Sequence, residues 1–83
     1  MSDRTTAIVD LPRLRYDRES RRFAIGDHEL HCGNVIELLV SGRDGSHSWF
    51  ETRIEHSQAT GWYFVHIKPS DPGEWTNHKA RFV

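Results

Sequence analysis

LHCGNVIELLVSGRDGSHSWFETRIEHSQATGWYFVHI, residues 30–67, decides the fold class of this chain. It holds three runs in which apolar residues recur at every second position, the period at which strand side chains return to one face of a sheet. In residues 35–40, Ile36, Leu38 and Val40 share one face, and Val35, Glu37 and Leu39 share the other. In residues 49–56, Phe50, Thr52 and Ile54 lie opposite Trp49, Glu51, Arg53 and Glu55. In residues 62–67, Tyr63, Val65 and Ile67 form the apolar face, and Trp62, Phe64 and His66 its opposite. Turn-forming residues separate the runs, Gly42-Arg43-Asp44-Gly45-Ser46 and Ser57-Gln58-Ala59-Thr60-Gly61. The pattern predicts a three-stranded antiparallel meander.

Pattern also predicts its register. A loop of residues 57–60 places His56 opposite Gly61, so that Ile54 faces Tyr63, Thr52 faces Val65 and Phe50 faces Ile67, all on the apolar side. A slip of one residue turns every side chain of a strand over. The opposite side then gathers Glu55 by Trp62, Arg53 by Phe64 and Glu51 by His66.

Working outward, Leu14 and Tyr16 alternate with Arg13, Arg15 and Asp17, and Phe23 and Ile25 alternate with Arg22 and Ala24. The polar run Arg18-Glu19-Ser20-Arg21 between them suits the turn of a hairpin with Tyr16 opposite Phe23. A helix over residues 13–23 is the competing reading, and it fits poorly because residues 17–22 offer no apolar side chain. Residues 28–34 read as a polar connector anchored by Leu30. Pro69, Pro72 and Gly73 make residues 68–78 a loop with Trp75 as its anchor, and residues 80–83 suit a short edge strand. Residues 1–12 lack a sustained period and are expected to be a flexible lead.

The chain has 83 residues, one Cys, a net charge of -1 and nine aromatics that include three Trp. That length holds one domain, and its aromatics supply large buried areas to a lean core. With no strong helical segment, about five to six short strands must cover their own core. The expected fold is all-β, a small half-open antiparallel barrel over residues 13–83. The entry Leu30-x-x-Gly33-Asn34-x-Ile36-x-Leu38 makes it SH3-like by analogy. A lone Cys32 forms no intramolecular disulfide and points to a reducing, cytoplasmic setting. No window approaches the ~20 apolar residues of a membrane span, and no export signal is read at the N-terminus. Charge is uneven: residues 1–22 carry +2 and residues 23–83 carry -3.

His31-Cys32-Gly33, Ile36-Glu37, Trp49, Thr52-Arg53-Ile54-Glu55, Gly61-Trp62-Tyr63 and Val65 resemble a short bacterial family catalogued as a domain of unknown function. The resemblance spans roughly the middle half of the chain and implies a small, non-secreted domain. It brings no activity with it.

Candidate chemistry concentrates on the mixed side of the meander, where Trp49, Trp62, Phe64, Arg53 and His66 stand with Glu37 and Glu51. Aromatic plates beside charges suit capture of a protein or peptide, the leading expectation. The alternative is single-stranded nucleic acid stacked on the same aromatics, with Arg13, Arg15 and Arg22 as a charged rim. Either is undone if the N-terminal hairpin or the Trp75 loop covers this side. His28, Glu29, His31 and Cys32 invite a metal reading, but the spacing differs from H-E-x-x-H, and His28 and His31 point to opposite sides of a strand. Cys32 beside His31 lacks an orienting third group for nucleophilic chemistry. The loop at residues 42–47 lacks the Gly-Lys-Ser/Thr ending of a phosphate loop, and Asp44 repels an anion there. The expectation is therefore a non-enzymatic binding module with no cofactor, metal or membrane.

Overall fold

The computed structural model describes residues 10–83, so residues 1–9 of the expected lead lie outside the described residues. Strand β1 (Leu14–Asp17) pairs with β2 (Arg22–Ile25), Leu14 opposite Ile25 and Tyr16 opposite Phe23, the hairpin that alternation predicts. The Tyr16 and Phe23 rings meet with centroids 4.9 Å apart. The connector expected at residues 28–34 is in part a strand, because β3 (His28–Glu29) folds back on β2 through Gly26 at φ 59°. Leu30 then dives into the core as a fully buried side chain.

The second sheet has the order β6-β5-β4-β7, built from β4 (Val35–Ser41), β5 (His47–Ser57), β6 (Gly61–Val65) and β7 (Ala80–Phe82). Pairing of β4 with β5 sets Ile36 opposite Thr52 and Leu38 opposite Phe50 on the inner side, and Glu37 opposite Glu51 and Leu39 opposite Trp49 on the outer side. Strand β7 closes the other edge of β4, Glu37 opposite Arg81 and Leu38 opposite Ala80.

The β5–β6 register departs from the expected one by a residue. Ser57 pairs with Gly61, so Ile54 faces Phe64, Arg53 faces Val65 and Glu55 faces Tyr63. The loop is three residues long, ending on Gly61 at φ 77°, a conformation that favours glycine and sets the pairing parity of such hairpins. Both sides of residues 62–67 carry apolar groups, so alternation alone does not choose between them. Burial does: Phe64 enters the core at 1% exposure, while Tyr63 and Val65 lie half-buried on the outer side.

The described residues thus form an all-β structure of seven strands in two antiparallel sheets, where five or six strands were expected, and the sheets do not close into a barrel. One core lies between them. Leu14, Phe23, Ile25 and Leu30 from the three-stranded side meet Ile36, Leu38, Ile54, Phe64 and Ala80 from the four-stranded side. Each large side chain buried there is worth about 1.5–3 kcal/mol relative to exposure. Trp75 completes the core from a 3-10 turn (Pro72–Trp75), with its indole N–H donating to the Pro69 carbonyl at 2.8 Å. Asp71 caps that turn by accepting from the Gly73 N–H at 2.9 Å. The sheets are laced together where Leu14 N–H donates to the His78 carbonyl and Asn77 N–H to the Leu14 carbonyl, both at 2.8 Å.

Candidate functional site

The outer face of the four-stranded sheet carries Val35, Glu37 and Leu39 of β4, Trp49, Glu51 and Arg53 of β5, Tyr63 and Val65 of β6, and Arg81 of β7. Strand alternation puts these side chains together, since directly paired residues share a face. Arg81 organises one end: its Nε donates to Glu37 Oε1 at 2.7 Å while its guanidinium carbon sits 3.7 Å from the Trp49 ring centroid. Arg53 Nε donates to Glu55 Oε2 at 2.7 Å. Exposed ion pairs of this kind stabilise little, ~1 kcal/mol at most, but they hold an aromatic and two guanidiniums in a defined arrangement on a solvated sheet.

Of the residues expected to make one surface, Trp49 and Arg53 do. Phe64 is in the core. His66 follows the end of β6, exposed and at φ 62°. Trp62 faces the inner side, where its indole N–H donates to the Arg21 carbonyl at 3.1 Å, the Arg22 guanidinium stands 5.6 Å from its ring centroid and the His56 ring meets it at 4.7 Å. The N-terminal hairpin is what covers it. Arg81 was missed by sequence reasoning; the only signal was that β7 alternation opposes it to the apolar Ala80.

A second feature of this face is its edge. β6 stops at Val65, opposite Arg53, so residues 47–52 of β5 have no strand neighbour on that side among the described residues. Backbone polarity follows from the ladder. Ile54 N–H donates to the Asn34 carbonyl and its own carbonyl accepts from Gly33 N–H, which turns even-numbered backbone groups of β5 toward β4. Those of Trp49 and Glu51 therefore point out of the open edge. Trp49 flanks that edge on the outer face, and Phe50, 46% exposed, flanks it on the inner one.

Elsewhere the candidate groups are dispersed. Among the described residues no group of three or more His, Cys, Asp and Glu side chains comes together. In the β4–β5 loop, Asp44 is bonded to Ser46, hydroxyl first and backbone N–H next, which holds its carboxyl below the usual carboxylate range. Its own loop has thus taken the donors an anion would need. Cys32 is exposed and lines an open cleft of 320 Å³ with Ser20, Arg21, Arg22, His56 and Trp62.

Fold and face together define a small all-β domain of two antiparallel sheets. The chain belongs to the family described as Domain of unknown function (DUF5348), whose model matches residues 12–75, from just before β1 through the 3-10 turn. No curated protein and no solved structure matches it.

Proposed function

We propose that this protein is a non-enzymatic binding module that captures an extended peptide segment of a partner protein by strand addition to the open edge of β5. The supporting observation is that edge: outward backbone groups at Trp49 and Glu51, with the exposed Phe50 on one side of the sheet and the half-buried Trp49 on the other. Such an edge templates a further strand, main-chain bonds giving affinity and side-chain contacts giving selection. Trp49, with Arg81 stacked on it, supplies the aromatic anchor. The exposed, solitary thiol of Cys32 supports a cytoplasmic, reducing setting.

Glu51→Pro is the direct test. Its N–H points out of the edge, so proline removes a docking donor without removing a β4 bond, and edge strands tolerate it. Peptides selected from a displayed random library on the wild-type chain should bind Glu51→Pro at least tenfold more weakly in fluorescence anisotropy, with far-UV circular dichroism unchanged. Equal binding to both proteins, or a library that yields no binder, rules the reading out.

A further inference from the structure

We propose that the cleft beside Trp62 is an anion site that takes a phosphate group, held by the guanidiniums of Arg21 and Arg22. It is separate from the outer face, lying where the β1–β2 turn meets β5 and β6 on the inner side. Ser20, Arg21, Arg22, Cys32, His56 and Trp62 line its 320 Å³, so two arginines and a histidine border it and no acidic residue does. That volume suits a small ligand, near the lower end of the range for such sites.

Four of the other described arginines are already engaged, and of those that are not, only Arg21 and Arg22 border a cleft with an aromatic wall. Arg53 and Arg81 are neutralised by Glu55 and Glu37, and Arg13 and Arg15 donate to the Asn77 and Gly26 carbonyls. Arg21 and Arg22 have no carboxylate partner among the described residues; Arg22 meets only the Trp62 ring. Of the two acids beside them in sequence, Asp17 is occupied by the backbone N–H groups of Glu19 and Ser20 and by the Ser20 hydroxyl, and Glu19 makes no ion pair with either arginine.

The site is also held in shape. Arg21 adopts φ 59°, a left-handed conformation that non-glycine residues take up only at a cost, and in it presents its carbonyl to the Trp62 indole N–H. The neighbouring Arg22 lies over the same ring. The Trp62 ring thus holds the Arg22 guanidinium and its indole N–H holds the Arg21 backbone beside the same cleft, and guanidinium geometry matches phosphate oxygens through paired N–H donors.

The test uses the full chain and the indole N–H resonance of Trp62, assigned by its loss in Trp62→Phe. Inorganic phosphate should shift this resonance saturably beyond the effect of sodium chloride at equal ionic strength. Arg21→Gln keeps the backbone carbonyl and should weaken the response about tenfold or more, whereas Arg43→Gln, in the β4–β5 loop, should leave it unchanged. A response no larger than that to chloride, or one that survives Arg21→Gln undiminished, overturns the assignment. If Arg21→Gln disturbs the spectrum as a whole, Arg22→Lys serves instead: it keeps the charge but loses the fork, and full retention of affinity would equally overturn it. Two further ligands identify the source of the phosphate. Tighter binding of a nucleoside monophosphate assigns a small molecule, and tighter binding of a short single-stranded oligonucleotide assigns a polymer backbone. Glu51→Pro, on the other side of the sheet, should leave every one of these responses intact, so this site and the peptide edge stand or fall separately.

Discussion

Asp17 shows how much of a turn can rest on one carboxylate. Its Oδ1 accepts the Glu19 N–H at 2.9 Å, and this bond, followed by those from Ser20 and by the Arg15 charge, holds its carboxyl below the usual range against the opposing effect of desolvation. A folded-state pKa below the unfolded one means that the unfolded chain takes up its proton first as acid is added. The stabilisation is therefore complete above the ordinary Asp range and drains away as pH falls through that range and below it. Asp44 has the same sense of shift in the β4–β5 loop. Asp17→Asn keeps an acceptor oxygen but cannot titrate, so its urea midpoint should decline less steeply than the wild type's as pH is lowered from about 5 to about 2. Asp44→Asn should act likewise, and the double variant should show the sum, since the two turns share no partner. A decline of wild-type steepness in both single variants would assign the acid sensitivity to other groups.

Elements are where the sequence speaks most clearly and also where it misleads. The first hairpin is legible because Leu14, Tyr16, Phe23 and Ile25 alternate cleanly with charged or small residues, leaving a single register. The inward set of β4, the Trp75 anchor and the short β7 edge strand are legible for the same reason. Parity of β6 is not, because Trp62, Tyr63, Phe64 and Val65 are consecutive apolar residues and the loop before them fits two lengths. The candidate site inherits that ambiguity. Trp49 and Arg53 belong to β5, whose polar face is unmistakable, whereas Trp62 and Phe64 went to the wrong side with their strand. Arg81 is a different case: it reaches Glu37 across 44 residues, and no local pattern reports such a contact. Register has a direct energetic readout. Phe64→Ala should cost about 3–5 kcal/mol by chemical denaturation, the usual loss for truncating a buried Phe, while Tyr63→Ala on the half-buried outer side should cost much less. The reverse order would put Tyr63 inward and rule out the Ile54–Phe64 pairing.

At the scale of the whole molecule, neither sheet can stand alone. The three-stranded sheet has strands of four, four and two residues, and its inward side chains have no partners of their own. Isolated hairpins of this length are marginal in water. What stabilises it is the shared core, into which Leu14 is fully buried, together with the backbone bonds that tie Leu14 to Asn77 and His78 beside β7. Trp62 adds a second tie at the opposite end, from β6 to the β1–β2 turn. With one core and a lacing at each end, unfolding of the small sheet exposes the inner face of the large one, so the two should melt as a unit. Leu14→Ala tests this. Removing a buried leucine costs about 2–5 kcal/mol, a large share of the roughly 5–15 kcal/mol that holds a domain of ordinary stability together. Thermal midpoints followed by tryptophan fluorescence in a Trp49→Phe background, which reports Trp62 and Trp75 at the junction, and by far-UV circular dichroism, which reports both sheets, should fall together and remain coincident. A fluorescence transition that precedes the circular dichroism transition would mean that the N-terminal sheet detaches from a surviving four-stranded sheet, and the account of a single cooperative core would fail.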